Sequence, residues 1–445
     1  MANFAKPDVP RFSVDVYQNE YLPEGGREVN AIVTVTATGG GTIGKGPGAA
    51  APGRRPSAAV AVMVDCSGSM DYPPTKMRHA RDATAAAVDT LRDGTHFAVI
   101  GGTHVATEVY PGGGRLAVAG PATREEAKRA LRRLSAGGGT AIGTWLRLAD
   151  RLLASADVTL RHGILLTDGR NEHESPDDLR AALDACAGRF TCDARGVGTD
   201  WEVKEVTGIA SALLGTADIV ADPAGLAADF TRMMETAMDK EVADVALRVW
   251  TPVGTAIRFV KQVAPAVEDL TGRRVEAGPR AGDYPTGSWG DESRDYHLCV
   301  EVPPAGLGRE MLAARVSLVV PGPDGTAQNL GAQGLVRAVW TDDMTASTAL
   351  SPQVAHYTGQ AELAQVIKQG LDLRKVGDFD GATAKLGRAV QLASASGNAD
   401  TAKLLAKVVD VVDAATGTVR LKTRVAEADE MTLETRSTKT VRVKK

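Results

Sequence analysis

The stretch that decides how the whole sequence is interpreted is VMVDCSGSM, residues 62–70. An apolar run ends there in Asp65, and two serines follow at alternate positions, Ser67 and Ser69. Oxygen-bearing side chains spaced in this way could hold a hard cation such as Mg²⁺. They could equally form an ordinary turn, because Asp, Ser and Gly are the residues that turns favour. The segments around this stretch decide between the two.

Strands and helices alternate on either side of this stretch, over residues 57–240. Apolar runs typical of buried strands occur at residues 58–64, 96–102 and 162–169, and residues 193–198 continue the alternation of strands and helices. Helical patterns lie between or after them, at residues 76–92, 124–134, 141–154, 175–187 and 202–214. Repeated strand–helix units predict an α/β fold, with a doubly wound, mostly parallel sheet between helices. Such sheets bind ligands at the carboxyl ends of their strands.

Apolar and polar residues alternate with period two in the regions that flank this domain, at residues 1–38 and 241–341. The N-terminal strands need partners, because a two-stranded hairpin is marginal by itself. We therefore expect the two regions to form one β-sandwich into which the α/β domain is inserted. The Gly- and Pro-rich residues 39–56 are expected to be a flexible linker.

Residues 352–415 are predicted to form a small α-helical domain. Within them GLDLRKVGDFDGATAKLGRAVQLA, residues 370–393, resembles about one and a half tetratricopeptide repeats. A helical hairpin that caps the sandwich or forms an oligomer contact is an equally good interpretation.

The last residues, 416–445, form a Thr-rich basic tail that we expect to be disordered in isolation. A phosphothreonine-binding partner could recognise the tail once it is phosphorylated, because phosphate adds charge and acceptor oxygens. The candidate sites are Thr432, Thr435, Ser437, Thr438 and Thr440. Alternatively, the alternating residues 440–443, TVRV, could add an edge strand to a sheet.

Two more oxygen-bearing side chains are expected at the same sheet edge as the opening stretch. Thr140 follows three glycines at the head of a predicted helix, and Asp168 stands at the end of a predicted strand. The full set of candidate metal ligands is then Asp65, Ser67, Ser69, Thr140 and Asp168. Oxygen ligands suit Mg²⁺ or Mn²⁺ and do not suit zinc, which prefers nitrogen and sulfur. Three to five protein oxygens would leave Mg²⁺ a position for another ligand.

Three elements, DCSGS, the glycine-led Thr140 and TDG at residues 167–169, resemble the metal-ion-dependent adhesion site of von Willebrand factor type A domains. In that family the residues matching Ser67, Ser69 and Thr140 contact the metal directly or nearly so. Those matching Asp65 and Asp168 contact it directly or through water. The resemblance implies a partner protein that supplies an Asp or Glu to the metal. It also implies an interaction scaffold of the bacterial cytoplasmic type, in a signalling or stress-response assembly.

Composition argues against several other partners. The net charge is −4 and aromatic residues make up 4% of the chain, so neither a basic field nor a stacking surface for nucleic acid is expected. No apolar run approaches the roughly 20 residues that span a bilayer. The N-terminus shows no secretory signal, and the four cysteines show no metal-finger spacing. We therefore expect a cytoplasmic protein with no membrane and no nucleic-acid partner.

An enzyme is not expected from these motifs. Neither serine lies in a GxSxG elbow, and the sequence has no HExxH motif. His173, with Glu172 and Glu174, could line the rim of the metal face, although a solvated loop residue is the simpler interpretation. Two alternatives remain open. One is a magnesium-dependent hydrolase or phosphatase-like enzyme, and the other is a metal-independent structural oligomer.

Overall fold

The computed structural model describes residues 10–38, 57–322 and 326–443, and the chain divides into two compact units. The described part of the first unit comprises residues 57–243 and 287–290. The second unit comprises residues 10–38, 244–286 and the described residues from 291 onward. The linker predicted at residues 39–56 lies outside the described residues.

Strands and helices alternate in the first unit, as the sequence predicts. Three strands of the second unit precede them in the described part of the chain, β1 (Arg11–Gln18), β2 (Tyr21–Leu22) and β3 (Glu28–Thr38). The strands that follow are β4 (Ala58–Asp65), β5 (His96–Gly102), β6 (Ala106–Tyr110), β7 (Ala117–Val118), β8 (Leu160–Thr167), β9 (Thr191–Val197) and β10 (Ala217–Val220). The helices are α1 (Thr75–Thr90), α2 (Pro121–Leu131), α3 (Ile142–Ala154), α4 (Pro176–Cys186), α5 (Val203–Ala212) and α6 (Leu226–Met238).

The sheet of the first unit has the strand order β10-β9-β8-β4-β5-β6, and β7 also pairs with β5. Strands β10, β9, β8, β4 and β5 run parallel, and β6 and β7 are antiparallel to β5. The chain passes from β4 to β5 on one side and later adds β8, β9 and β10 on the other. The end of β4 is therefore the point where the strand order reverses, where open α/β sheets bind ligands.

Helices cover both faces of this sheet because β4 is apolar on both. Val60, Val62 and Val64 are fully buried in one cluster with side chains of α1, α2 and α6. Helix α3 packs against β4 and β5, and α5 packs against β9. The prediction of a doubly wound α/β fold is confirmed.

The remaining strands and helices belong wholly or largely to the second unit. Its further strands are β11 (Val242–Trp250), β12 (Ala256–Ala264), β13 (Glu268–Asp269), β14 (Val275–Glu276), β15 (Ala281–Trp289), β16 (Glu292–Glu301), β17 (Glu310–Pro321) and β18 (Ala327–Trp340). After them come α7 (Met344–Thr348), α8 (Pro352–Lys375), α9 (Phe379–Ala395), α10 (Ala399–Val408), β19 (Val409–Asp413), β20 (Thr418–Leu421) and α11 (Glu427–Arg436).

Two sheets of the second unit form the β-sandwich. Their strand orders are β1-β3-β16-β12-β13 and β14-β15-β11-β17-β18-β2. Strand β3 pairs with β1 on one side and with the distant β16 on the other. The sheets pack closely where β1 crosses β18, since a Cβ atom built on Gly334 would lie 2.6 Å from Val16 Cγ2.

Helices α8 to α11 surround a separate apolar core in the second unit. Ile367 and Leu371 of α8 are buried there with Leu386 of α9 and Leu405 of α10. The prediction that helix continues to residue 415 is wrong, because α10 ends at Val408 and a β-hairpin of β19 and β20 follows. The valine-rich sequence VDVVD favours a strand, since β-branched side chains fit a pleated surface better than a helix.

Within the folded chain the tail is ordered, with strand β20 and helix α11, and its disorder in isolation stays a prediction. Helix α11 places Leu433, which is fully buried, in the same apolar core. Ion pairs of 2.8 Å between Arg374 and Glu430 and of 2.9 Å between Lys375 and Glu434 join α8 to α11. The buried residues of α11 are Met431, Leu433 and Thr435. Because so few of its residues are buried, the tail is polar in composition, although tertiary packing stabilises the helix.

The end of the tail contacts the edge of the sandwich, but residues 440–443 form no strand, so the edge strand of the alternative interpretation is not observed. Lys439 forms an antiparallel bridge with Ala266, between β12 and β13. Among the candidate phosphorylation sites Thr435 and Ser437 are buried, and Thr440 Oγ1 donates a hydrogen bond to the Val263 carbonyl oxygen over 2.7 Å. Thr438 is exposed.

None of the helices in the described residues is both long and apolar enough to cross a membrane.

Candidate metal centre

The loop after β4 is organised around the Asp65 carboxylate. Asp65 is the last residue of β4 and is fully buried. Its Oδ1 accepts a hydrogen bond from the Ser67 backbone N–H over 2.8 Å, which is an Asx-type turn. A 3₁₀ turn over Gly68–Asp71 follows, and the Ser67 and Ser69 hydroxyl oxygens lie 2.9 Å apart. The backbone therefore forms a turn, as one interpretation of the sequence expected, and this turn places the two hydroxyls side by side.

Asp168 joins this cluster from the neighbouring strand β8. Its carboxylate is fully buried, and Oδ1 accepts a hydrogen bond from the Ser69 hydroxyl over 2.7 Å. The Asp168 backbone N–H also donates to Asp65 Oδ2 over 3.4 Å. The parallel pairing of β4 with β8 thus brings together two carboxylates about a hundred residues apart in the chain.

Thr140 approaches from the loop that precedes α3. This loop is fixed to the Ser67 turn by hydrogen bonds from Gly68 N to Gly138 O, 2.9 Å, and from Gly137 N to Cys66 O, 2.8 Å. A Cβ atom built on Gly169 would lie 3.1 Å from Ser69 Oγ and 3.7 Å from Thr140 Oγ1. The absence of a side chain at Gly169 therefore keeps the space between these hydroxyls open. All five residues selected from the sequence lie in this one cluster, and their role as metal ligands stays a prediction.

Burial makes the charge at this cluster costly. The pKa of Asp65 is raised to about 6, chiefly by its burial and further by the nearby Asp168 carboxylate. Hydrogen bonds from Ser67 and from the Thr167 hydroxyl act in the opposite direction. Two buried carboxylates favour a bound cation, because a positive charge offsets the cost of removing them from water.

Two residues of this site were missed in the sequence. Thr167 Oγ1 donates a hydrogen bond to Asp65 Oδ2 over 2.7 Å. Lys76, the second residue of α1, is buried, and its ammonium lies 2.5 Å from Asp168 Oδ2 and 3.3 Å from the Ser69 carbonyl oxygen. Thr167 belongs to the TDG motif and could have been noticed there. Nothing in the local sequence pattern indicates that Lys76 is buried.

The donor set fits a small hard cation. Among the described residues no three His, Cys, Asp or Glu side chains form a group that could hold a metal ion. An ion at this cluster would therefore depend on hydroxyl oxygens beside the two carboxylates. Oxygen donors of this kind match the preferences of Mg²⁺ and Mn²⁺.

His173 is exposed to solvent, as the simpler interpretation expected, and it also lies beside Thr140 at the rim of the cluster. The His173 backbone N–H donates to the Thr140 carbonyl oxygen over 2.9 Å, and its Nδ1 accepts from the Thr140 N–H over 3.3 Å. The His104 ring lies 6.3 Å from the His173 ring, measured between centroids. Glu174 instead accepts a hydrogen bond of 2.6 Å from the Gly143 N–H at the start of α3. His173 therefore positions Thr140, and Glu174 caps a helix.

The fold and the oxygen cluster together define the class of von Willebrand factor type A domain proteins. The family model described as the von Willebrand factor type A domain matches residues 58–219. The model described as the von Willebrand factor type A C-terminal domain matches residues 391–437, which include α10, the β19–β20 hairpin and α11.

Solved structures agree with this assignment. The chain is 51% identical to a von Willebrand factor type A protein from Catenulispora acidiphila, with 99% of each chain covered and a TM-score of 0.92. The ArnB paralog VWA2 from Sulfolobus acidocaldarius is 14% identical, with 96% of this chain and 98% of that chain covered and a TM-score of 0.59, which shows a shared fold. The chain matched none of the curated proteins with which it was compared. This protein belongs to the von Willebrand factor type A family.

Proposed function

We propose that this protein is a non-enzymatic interaction scaffold that binds an acidic residue of a partner protein through a divalent cation. The cation is Mg²⁺ or Mn²⁺, and Asp65, Ser67, Ser69, Thr140 and Asp168 hold it. The observation that carries the proposal is the buried pair of carboxylates joined to serine hydroxyls at the reversal point of the sheet.

The solvent exposure of the cluster supports the binding of a partner protein at this site. Asp65 and Asp168 are fully buried and Ser67 nearly so, whereas Ser69 is exposed. The cluster is therefore enclosed by protein on the carboxylate side and reaches solvent at Ser69. When bound there, the cation would supply a coordination position that an incoming Asp or Glu can fill.

The contacts of the serines differ from the Ser–His arrangement of a typical serine hydrolase. A serine nucleophile needs a general base within hydrogen-bond reach. The Ser67 hydroxyl contacts the Ser69 hydroxyl, which in turn donates to Asp168. His173 Nδ1 is directed to the Thr140 N–H. Position 67, two residues after Asp65, is serine where an aspartyl-phosphate enzyme would need a second carboxylate.

The cellular setting that we propose is a bacterial signalling or stress-response assembly in the cytoplasm. It rests on analogy with the family, and fold alone does not define function. If the tail also recruits a phosphothreonine-binding partner, Thr438 is the site that we propose, because it is exposed whereas Thr435 is buried.

The test is a capture experiment from cell lysate with wild-type protein and Asp65→Ala, each with Mg²⁺ and with EDTA. Asp71→Ala is the matched control, because Asp71 is an exposed carboxylate in the same loop. We expect proteins retained only by the wild type and Asp71→Ala, and only with Mg²⁺. Identical captures in all conditions would contradict the proposal and favour the metal-independent oligomer.

A further inference from the structure

Lys76 brings a second cation, part of the chain itself, to the candidate metal centre. Its side chain is only 4% exposed, and its ammonium lies 2.5 Å from Asp168 Oδ2. A buried ammonium needs such a partner, because an isolated charge inside a protein is far less stable than in water. Lys76 therefore occupies an oxygen of one of the two carboxylates that a bound cation would also use.

A second carboxylate lies within reach of the same ammonium. Asp200 follows β9, and its Oδ2 is 3.8 Å from Lys76 Nζ. Its side chain is 73% exposed. The distance is too long for a hydrogen bond. Because lysine has a flexible four-carbon stem, a small rotation of its side chain would bring the two groups together.

We propose that Lys76 competes with the divalent cation for Asp168, and that Asp200 accepts the Lys76 ammonium when the cation is bound. The inference rests on the proposed function, since it requires a site that binds a divalent cation. In this proposal Lys76 affects both the affinity of the site for the cation and the net charge that the cation-loaded site presents to a partner.

The charges of the cluster explain why these two effects oppose each other. Counting the two carboxylates Asp65 and Asp168 and the Lys76 ammonium, a bound divalent cation leaves the buried cluster with one net positive charge. Asp200 is left out of this count because its side chain is 73% exposed and its charge is screened by water. A carboxylate from a partner then makes the cluster neutral. Without the Lys76 ammonium, the loaded cluster would be neutral and an incoming carboxylate would make it negative. Lys76 therefore weakens cation binding and strengthens carboxylate binding by the loaded site.

Lys76→Met tests the competition, because methionine retains the apolar part of the side chain and removes its charge. Mn²⁺ binding by the full chain is measured from the electron paramagnetic resonance signal of free Mn²⁺ at pH 7.5. We expect Lys76→Met to bind Mn²⁺ at least about 5-fold more tightly than the wild type. This factor is the lower end of the range by which one bound ligand changes the affinity for another, at about 5-fold. The matched control is Arg78→Met, which removes an exposed cation of the same helix and should leave the affinity unchanged.

Asp200→Asn tests whether Asp200 accepts the Lys76 ammonium, and its expected effect on Mn²⁺ affinity is opposite to that of Lys76→Met. Loss of this exposed acceptor should weaken Mn²⁺ binding about 2- to 5-fold, the range of an exposed ion pair. Acetate is the carboxylate probe, followed through the water-proton relaxation of the Mn²⁺-loaded protein. Acetate should displace water from the wild type at lower concentrations than from Lys76→Met.

The outcomes separate this inference from the proposed function. If neither the wild type nor Lys76→Met binds Mn²⁺, both fail. If the two proteins, each with a native circular dichroism spectrum, bind Mn²⁺ equally, the competition is refuted and the metal-dependent function stands. Equal acetate sensitivity in the two proteins would refute the role of Lys76 in carboxylate binding.

Discussion

The Thr167 hydroxyl donates a hydrogen bond of 2.7 Å to Asp65 Oδ2, across the parallel pair β4 and β8. The two residues are 102 positions apart in the chain. This bond favours the ionised form of Asp65 against the effect of burial, and it fixes the orientation of the carboxylate. Thr167 therefore keeps Asp65 ionised and oriented to bind a cation, although Thr167 is not among the proposed ligands.

Thr167→Val should weaken Mg²⁺ binding while keeping the side-chain volume. Loss of the hydrogen bond raises the pKa of Asp65 further above about 6, so a proton competes with the metal at higher pH. We expect affinity to fall about 10- to 100-fold, as for other residues that orient metal ligands. Isothermal titration calorimetry at pH 6, 7 and 8 measures this, and the loss should be largest at pH 6. A loss that does not vary with pH would contradict the argument.

Asp65→Asn should stabilise the metal-free protein at neutral pH. The pKa of Asp65 is raised in the folded state from 3.8 to about 6, so its contribution to stability is lost as the pH rises through this interval. The ionised group then costs up to about 3 kcal/mol at pH 7. Urea unfolding should show Asp65→Asn more stable than the wild type at pH 7.5, with the difference shrinking towards pH 4.

Asp71→Asn is the control for this measurement, because Asp71 is exposed in the adjoining turn. Its stability should follow that of the wild type at every pH. Added Mg²⁺ should stabilise the wild type and Asp71→Asn, since a ligand that binds only the folded state raises stability. A constant difference between Asp65→Asn and the wild type from pH 4 to 7.5 would show that Asp65 titrates normally.

Gly169→Ala should impair the metal centre without disrupting the fold. The added methyl group would lie 3.1 Å from Ser69 Oγ, close enough to displace that hydroxyl. We expect Mg²⁺ affinity to fall about 10-fold. Gly137→Ala is the matched control, because its methyl group would meet no atom within 4 Å. Equal affinities in the two variants would mean that Ser69 does not bind the cation.

Leu433→Ala tests whether the C-terminal tail is an integral part of the helical core. Leu433 is fully buried against residues of α8 and α9, so its truncation should cost about 2–5 kcal/mol of unfolding free energy. Leu350→Ala is the control, because Leu350 is 76% exposed. Urea unfolding measures both. If the two variants were equally stable, the tail would not be packed as described.

The sequence by itself determined the α/β fold and selected the residues of the oxygen cluster. Both follow from local patterns. An apolar run such as residues 58–64 must be a strand buried on both faces, and Asp65 at its end must lie at the ligand-binding edge. The same reasoning placed Asp168 and Thr140 there, because parallel strands end at a common edge.

The tertiary structure alone decided the burial of Lys76, the bond between Thr167 and Asp65, and the order of the tail. The ammonium of Lys76 is buried because α1 packs beside β4 and directs this side chain to Asp168. Leu433 orders the tail because helices distant in sequence form an apolar core around it. Such contacts join residues far apart in the chain, and a local pattern of polarity does not record which distant surface a side chain will meet.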